Sequence, residues 1–189
     1  MTPTQFIFRE VTLDDQWFLA AMLVEAANAS GADLVVEDLP ALPDTHRYVR
    51  DWGRPTDIGV IALDESGAAV GAAWARLFDA ETASPAFIDD HTPELTIATT
   101  ADVRGRGLGS ALLQRLHEVA AGAGLPGLTL GVHRDNHPAR RLYRANGWVW
   151  RATVGDYEIL HKKLHTPRLT PSDRELRSIY GVSATVTIG

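Results

Sequence analysis

Between residues 104 and 110 the chain reads Arg104-Gly105-Arg106-Gly107-Leu108-Gly109-Ser110, with glycine at every second position between two segments of opposite character. Before it, Glu94 to Thr99 has the composition of a strand. After it, Leu108, Leu112, Leu116, Val119 and Ala120 recur at helical spacing, up to Gly122 and Gly124. A strand that runs through a glycine turn into a helix start is an anion-binding arrangement. Successive backbone N–H groups point into the turn, the helix end adds partial positive charge, and the missing side chains let a phosphate approach. Arg104 and Arg106 add full charges. Two common nucleotide loops fit badly. A P-loop needs Gly-Lys-Ser/Thr, which the chain lacks. A dinucleotide fingerprint needs G-x-G-x-x-G and a later acidic residue, whereas the spacing here is G-x-G-x-G. Taken alone, the segment is also compatible with a plain glycine turn.

The remaining segments place this loop in a mixed domain. Phe6 to Val11 alternates as a first strand. Thr12 and Asp15 have capping-box spacing before a helix whose buried stripe is expected to be Leu13, Trp17, Ala20, Val24 and Ala27, closed by Gly31. The stretch to Gly53 is irregular and acidic, with Asp33, Glu37, Asp38 and Asp44, and is expected to hold a short helix and a mobile loop. Ile58 to Leu63 and Ala69 to Phe78 are predicted as paired strands around the turn Asp64-Glu65-Ser66-Gly67. Leu128, Leu130 and Val132 alternate on a further strand. Asn136-His137-Pro138 opens a helix that stops at Gly147, with Asn136 as its cap. Two closing strands, Trp148 to Trp150 and Asp156 to Leu164, complete the order β, α, (α), β, β, β, α, β, α, β, β. The expected fold is α/β: one domain over 1–165, then a C-terminal extension over 166–189 that docks, joins a dimer or frays.

Bulk properties exclude several functions. Eighteen basic and twenty-four acidic residues give a net charge of −6, which argues against nucleic acid as a partner. No apolar run reaches the roughly 20 residues needed to span a bilayer. The first residues lack the layout of a signal peptide, so the expectation is no membrane association and a cytoplasmic location. There is no cysteine, hence no thiol-linked acyl intermediate. His133 and His137 are four apart, as are His161 and His165, but no third ligand is evident and no metal is expected.

At the glycine loop the chain resembles the Gcn5-related N-acetyltransferases, the GNAT family. The family loop, Gln/Arg-x-x-Gly-x-Gly/Ala, is matched by Arg104, Gly107 and Gly109. A second family signature on the next helix is matched by Asn136, Ala139, Leu142-Tyr143 and Gly147-Trp148. The resemblance in element order covers residues 6 to 164. Ala101 stands where the family often has proline, which bears on loop rigidity.

The resemblance implies a mostly antiparallel central sheet flanked by helices, with acetyl-CoA as acyl donor. Its pyrophosphate would lie on Arg104, Gly105, Arg106, Gly107, Gly109 and Ser110, and its pantetheine arm on the backbone of Ala98 and Thr99. Tyr143 is the candidate general acid. It lies seven residues after Asn136, so both fall on nearly one helix face and line the same arm. A capping role for Asn136 and a packed-core role for Tyr143 stand beside these readings. Glu94 is the candidate base. It lies about 13 Å of strand from Ala98, which implies a water relay rather than direct abstraction. Asp89, Asp90 and His91 are its rivals, and a solvated strand end is the alternative.

The expected reaction is acetyl transfer to a primary amine by direct attack in a ternary complex. The acceptor is a small-molecule or peptide amine, and a homodimer is open. Longer acyl donors, a non-catalytic acyl-CoA sensor and a nucleotide-phosphate binder are the competing readings. The acceptor side is expected between Ala26 and Gly53, where the acidic residues suit a cationic amine and Trp52 is the aromatic residue expected to touch it.

Overall fold

The computed structural model describes residues 6–164, so the extension from 166 and His165 lie outside the described residues. A seven-stranded sheet is built from β1 (Ile7–Glu10), β2 (Ile58–Leu63), β3 (Ala69–Arg76), β4 (Glu94–Thr99), β5 (Gly127–His133), β6 (Val149–Val154) and β7 (Tyr157–Lys163). Their order is β1-β2-β3-β4-β5-β7-β6, and every neighbouring pair is antiparallel except β4 and β5. Helices α1 (Gln16–Asn28), α2 (Pro43–His46), α3 (Leu108–Gly122) and α4 (His137–Ala145) complete it. The expected mixed, mostly antiparallel sheet flanked by helices is what the chain forms. Among the described residues no helix is long and apolar enough to cross a membrane.

Strand alternation divides the core between the two sheet faces. Val60, Ala62, Ala73 and Ala75 pack with Leu112, Leu113 and Leu116 of α3. Ile61, Ala72 and Trp74 turn to the opposite face and meet Leu19, Leu23 and Leu39. The stripe expected on α1 needs correction. Leu19, Ala20, Met22, Leu23 and Val24 are buried, whereas Trp17 is 68% exposed and Leu13 67%. The α1 sequence is apolar at nearly every position, so it carries no phase information. The sheet selects the face.

Local signals are realised closely at the helix starts. The Thr12 N–H and hydroxyl both donate to the Asp15 carboxylate at 2.7 and 2.9 Å, and Arg9 adds a bidentate pair at 2.7 Å to each oxygen. Those bonds hold the Asp15 carboxyl down at about 2. The Asn136 side chain accepts from the Ala139 N–H at 3.1 Å, as a cap should. Arg140 then clamps α4 to β7 through both oxygens of Glu158.

One buried ion pair fixes the irregular segment between α2 and β2. Arg76 is fully buried at the end of β3, and its Nε and Nη2 donate to Asp57 at 2.9 and 2.7 Å. Its other N–H groups reach the carbonyls of Arg47, Arg50 and Asp51. Asp57 also accepts from the N–H groups of Gly53 and Arg54. Removing one partner of such a pair strands the other charge. Asp57→Ala is expected to cost about 3–5 kcal/mol in urea unfolding. Glu118→Ala, which breaks a half-exposed pair with Arg115 on α3, is expected to change stability by less than about 0.5 kcal/mol.

Candidate active site

The sheet is incomplete at its one parallel junction. β4 and β5 pair only at Glu94 and Thr129, where the Thr129 N–H donates to the Pro93 carbonyl at 3.0 Å. Beyond that point the strands part. Register shows which backbone groups are left free. Thr100 donates to Val70, so even-numbered residues of β4 bond across to β3, and Ala98 pairs with Ala72. The N–H and C=O groups of Ile97 and Thr99 therefore turn toward the gap. Alternation directs the Ala98 N–H away from it, so Ile97 stands where the resemblance suggested Ala98 for a backbone contact.

A cavity of about 820 Å³ occupies this fork. Such a volume suits a large cofactor arm with a small second ligand. One wall is the glycine loop. Gly105 and Gly107 have φ of +76° and +83°, the left-handed region that favours glycine, and nothing lies within 4 Å of a side chain added there. Gly107 caps α3 without any side-chain partner, which leaves the first N–H groups of that helix available. Gly109 acts differently. A Cβ there would come within 3.1 Å of Leu142, so its bare backbone lets α3 and α4 pack closely.

Of the expected loop residues, Arg104, Gly105, Gly107, Gly109 and Ser110 line the cavity, as do Ala98, Thr99 and Asn136. Arg106 is exposed and lies outside the lining. Arg104 reaches across to α1, where its Nη2 sits 2.6 Å from Glu25.

Tyr143 lines the same cavity and is 8% exposed, with its ring against Trp148. Its hydroxyl has no hydrogen-bond partner among the described residues, and burial pushes its pKa up from the usual 10.0.

Glu94 stands at the vertex of the fork, 3% exposed. The Tyr48 hydroxyl donates to its Oε2 at 2.8 Å and the Ser84 hydroxyl to its Oε1 at 2.6 Å. A solvated strand end is therefore not its setting. Burial, then the Glu94 charge, pushes the Tyr48 hydroxyl well above its usual range.

Tyr48, Ser84 and Glu25 are site residues that sequence reasoning does not find. Tyr48 lies 46 residues from Glu94 and Ser84 lies 10, both in irregular segments without periodicity, so only the tertiary fold brings them together. Of the segment expected to face the acceptor, Ala26, Ala29, Ser30, Arg47 and Tyr48 line the cavity. Its contacts need correction: Asp33, Glu37, Asp38 and Asp44 do not line it, and Asp38 instead caps its own turn at Val35. Trp52 is 7% exposed in the core, with the Arg76 guanidinium 5.5 Å from its ring, and does not reach the cavity. Asp89, Asp90 and His91 also lie outside the lining; the Asp89 carboxylate accepts from the His91 N–H. Among the described residues no three His, Asp or Glu side chains cluster closely enough to hold a metal ion.

Residues 23–148 match the family described as "Acetyltransferase (GNAT) family", and the chain belongs to it. Solved structures share the fold. A GCN5-related N-acetyltransferase from Kribbella flavida is 22% identical, with a TM-score of 0.63 over 84% of this chain and 98% of that one. Ribosomal-protein-alanine N-acetyltransferase from Brucella melitensis is 22% identical, with a TM-score of 0.62 over 84% and 99%. Spermidine N-acetyltransferase from Vibrio cholerae, in complex with CoA and spermine, is 15% identical, with a TM-score of 0.59 over 86% and 97%. No curated protein sequence matches the chain significantly.

The raised Tyr143 hydroxyl has an optical consequence. In an absorbance titration of the folded protein, Tyr143→Phe should leave the phenolate step near pH 10 unchanged in amplitude. Loss of one tyrosine's worth of amplitude there would mean that the hydroxyl is solvated.

Proposed function

We propose that the chain is an acetyl-CoA-dependent N-acetyltransferase that moves an acetyl group to a primary amine by direct attack in a ternary complex. The observation that carries this reading is the continuity of one cavity. It joins the glycine loop, the open backbone of β4, Tyr143 and Glu94. The absence of cysteine supports direct attack over a thiol-linked acyl intermediate.

The residues fit the donor. Open space over Gly105 and Gly107, with the uncapped start of α3, suits a pyrophosphate. The free groups of Ile97 and Thr99 suit the extended arm and polarise a carbonyl set against them. Acetyl-CoA supplies an acetyl group activated as a thioester.

The chain supplies the proton chemistry. Tyr143 holds a proton at Oη on the donor side and is the general acid. Glu94, on the acceptor side, takes the proton of the incoming ammonium through a water, with Ser84 and Tyr48 fixing both its oxygens. Asn136 caps α4 and lines the arm, which makes its two roles compatible.

Thiol release from acetyl-CoA across a panel of amines tests the reading. Tyr143→Phe should lower kcat by about a hundredfold or more, the usual range for a general acid, with acetyl-CoA affinity unchanged. Glu94→Gln should lower kcat/KM by about a hundredfold, the usual range for a general base, with acetyl-CoA affinity unchanged. No thiol release with any amine, together with no acetyl-CoA binding, would overturn the proposal. Binding with no turnover in wild type or Tyr143→Phe would make the chain a sensor instead.

The Arg104–Glu25 pair gives a finer prediction. Arg104→Glu should weaken acetyl-CoA binding. Glu25→Ala should strengthen it about two- to fivefold, because an exposed ion pair worth up to about 1 kcal/mol no longer competes for Arg104. Calorimetric titration reads both.

A further inference from the structure

We infer that Arg47 binds an acidic group on the acceptor, so that the acceptor is an amino acid or another amine carrying a carboxylate, not a polyamine. This deepens the reading above and rests on it.

The cavity is poor in free negative charge. Its lining includes two carboxylates, Glu25 and Glu94. Glu25 is paired with Arg104 at 2.6 Å. Glu94 is the candidate base and has hydroxyls on both oxygens. A polycation would need several further acids, and the nearest candidates in sequence, Asp33, Glu37, Asp38 and Asp44, are not in the wall.

What the acceptor side does contain is a cation short of partners. Arg47 lines the cavity beside Tyr48, Ser84 and Glu94. Its guanidinium stacks over the rings of Tyr48 and Phe78, at 5.4 and 5.2 Å, which holds it in place. Among the described residues only Nη1 finds a hydrogen-bond partner, the Thr82 carbonyl at 2.8 Å, and Nε is buried without one. No carboxylate among the described residues pairs with it.

Arg76, 29 residues on, shows how this chain treats a structural arginine: its nitrogens make five hydrogen bonds, to Asp57 and three carbonyls. Arg47 Nη2 has no such partner among the described residues, and a guanidinium edge matches a carboxylate in both geometry and charge. Arg47 lies over the Tyr48 ring and Glu94 accepts from its hydroxyl, so a positive and a negative group flank one side chain. A zwitterion complements that pair: its carboxylate meets Arg47 and its ammonium faces Glu94.

Matched acceptor pairs test this. Each of the nineteen common amino acids with a primary α-amine is compared with the amine that lacks its α-carboxylate, in the thiol-release assay with acetyl-CoA. At least one amino acid should exceed its decarboxylated partner tenfold or more in kcat/KM. Arg47→Gln should erase that preference by raising KM for the acid tenfold or more while leaving KM for the amine, and the affinity for acetyl-CoA, unchanged. Arg47→Lys, which keeps the charge without the fork, should fall between them. A merely structural Arg47 would instead penalise both acceptors alike. Decarboxylated amines used as well as the acids, or a KM for the acid indifferent to Arg47→Gln, would overturn the inference while the acetyltransferase reading stood. If no acceptor turns over, the thermal shift given by each amino acid with CoA present decides, and no shift from any of them overturns it. Failure to bind acetyl-CoA would remove the donor reading and this inference together.

Discussion

A single rung between β4 and β5 determines what the rest of the structure can do. Glu94 faces Thr129, the Thr129 N–H reaches the Pro93 carbonyl, and the ladder stops. Full pairing would have been more stable locally, since buried backbone groups are almost always satisfied. Parting the strands instead creates a cavity in the middle of a sheet and leaves the Ile97 and Thr99 groups for something other than a neighbouring strand. The fork is held open by stronger pairing on both sides. β5 runs against β7 for its whole length, from Gly127–Lys163 to His133–Tyr157, and β4 runs against β3 from Glu94 to Thr99.

Thr129 extends the same control to the surroundings of Glu94. It is fully buried, and its Oγ1 donates to the Ala86 carbonyl at 2.8 Å, which ties the segment 84–86 to the sheet. The Ala86 N–H in turn donates to the Ser84 hydroxyl oxygen, leaving the hydroxyl proton for Glu94. Tyr48 is fixed from the other direction. Its carbonyl accepts from the Trp74 indole N–H at 3.0 Å, and Arg76 holds the carbonyls of Arg47, Arg50 and Asp51. Position of the carboxylate and stability of the fold are therefore coupled through β3, whose Arg76 faces Glu94 in register. Damage to the Arg76–Asp57 pair loosens Tyr48, the partner of Glu94, as well as the core.

What is legible in the sequence follows from range. The glycine loop, the Asn136 cap and the Thr12–Asp15 box are set by neighbours within a few residues, and their geometry is as expected. Tyr143 faces the cavity because seven helical residues return to nearly the same direction as Asn136. Failures begin where a partner lies far away in sequence. The buried face of α1 is chosen by Ile61 and Trp74, not by its own pattern. Trp52 has the composition of a substrate contact in an irregular loop, yet Arg76 draws it inward. Tyr48 and Ser84 carry no local signature at all. Likeness points to Ala98 by its position along a strand, and strand parity, visible only from the register with β3, gives the free backbone groups to Ile97 and Thr99.

Charge shows the same separation between bulk and site. A net charge of −6 and an acidic stretch from Asp33 to Asp44 suggest attraction of cations. Those acids are exposed or occupied with local turns, and beyond a Debye length of about 8 Å at physiological salt their influence is mostly screened. Inside the cavity the balance is different. Glu25 is matched by Arg104, and Glu94 is flanked across the Tyr48 ring by Arg47. A wall with paired opposite charges at short spacing discriminates by the arrangement of charges on a ligand rather than by their sum. Both ends of the cavity present an arginine beside a glutamate. Only at Arg104 and Glu25 are the two in direct contact, so a ligand for Arg104 must compete with an existing ion pair, while Arg47 is stacked on two rings with Nη2 unpartnered among the described residues.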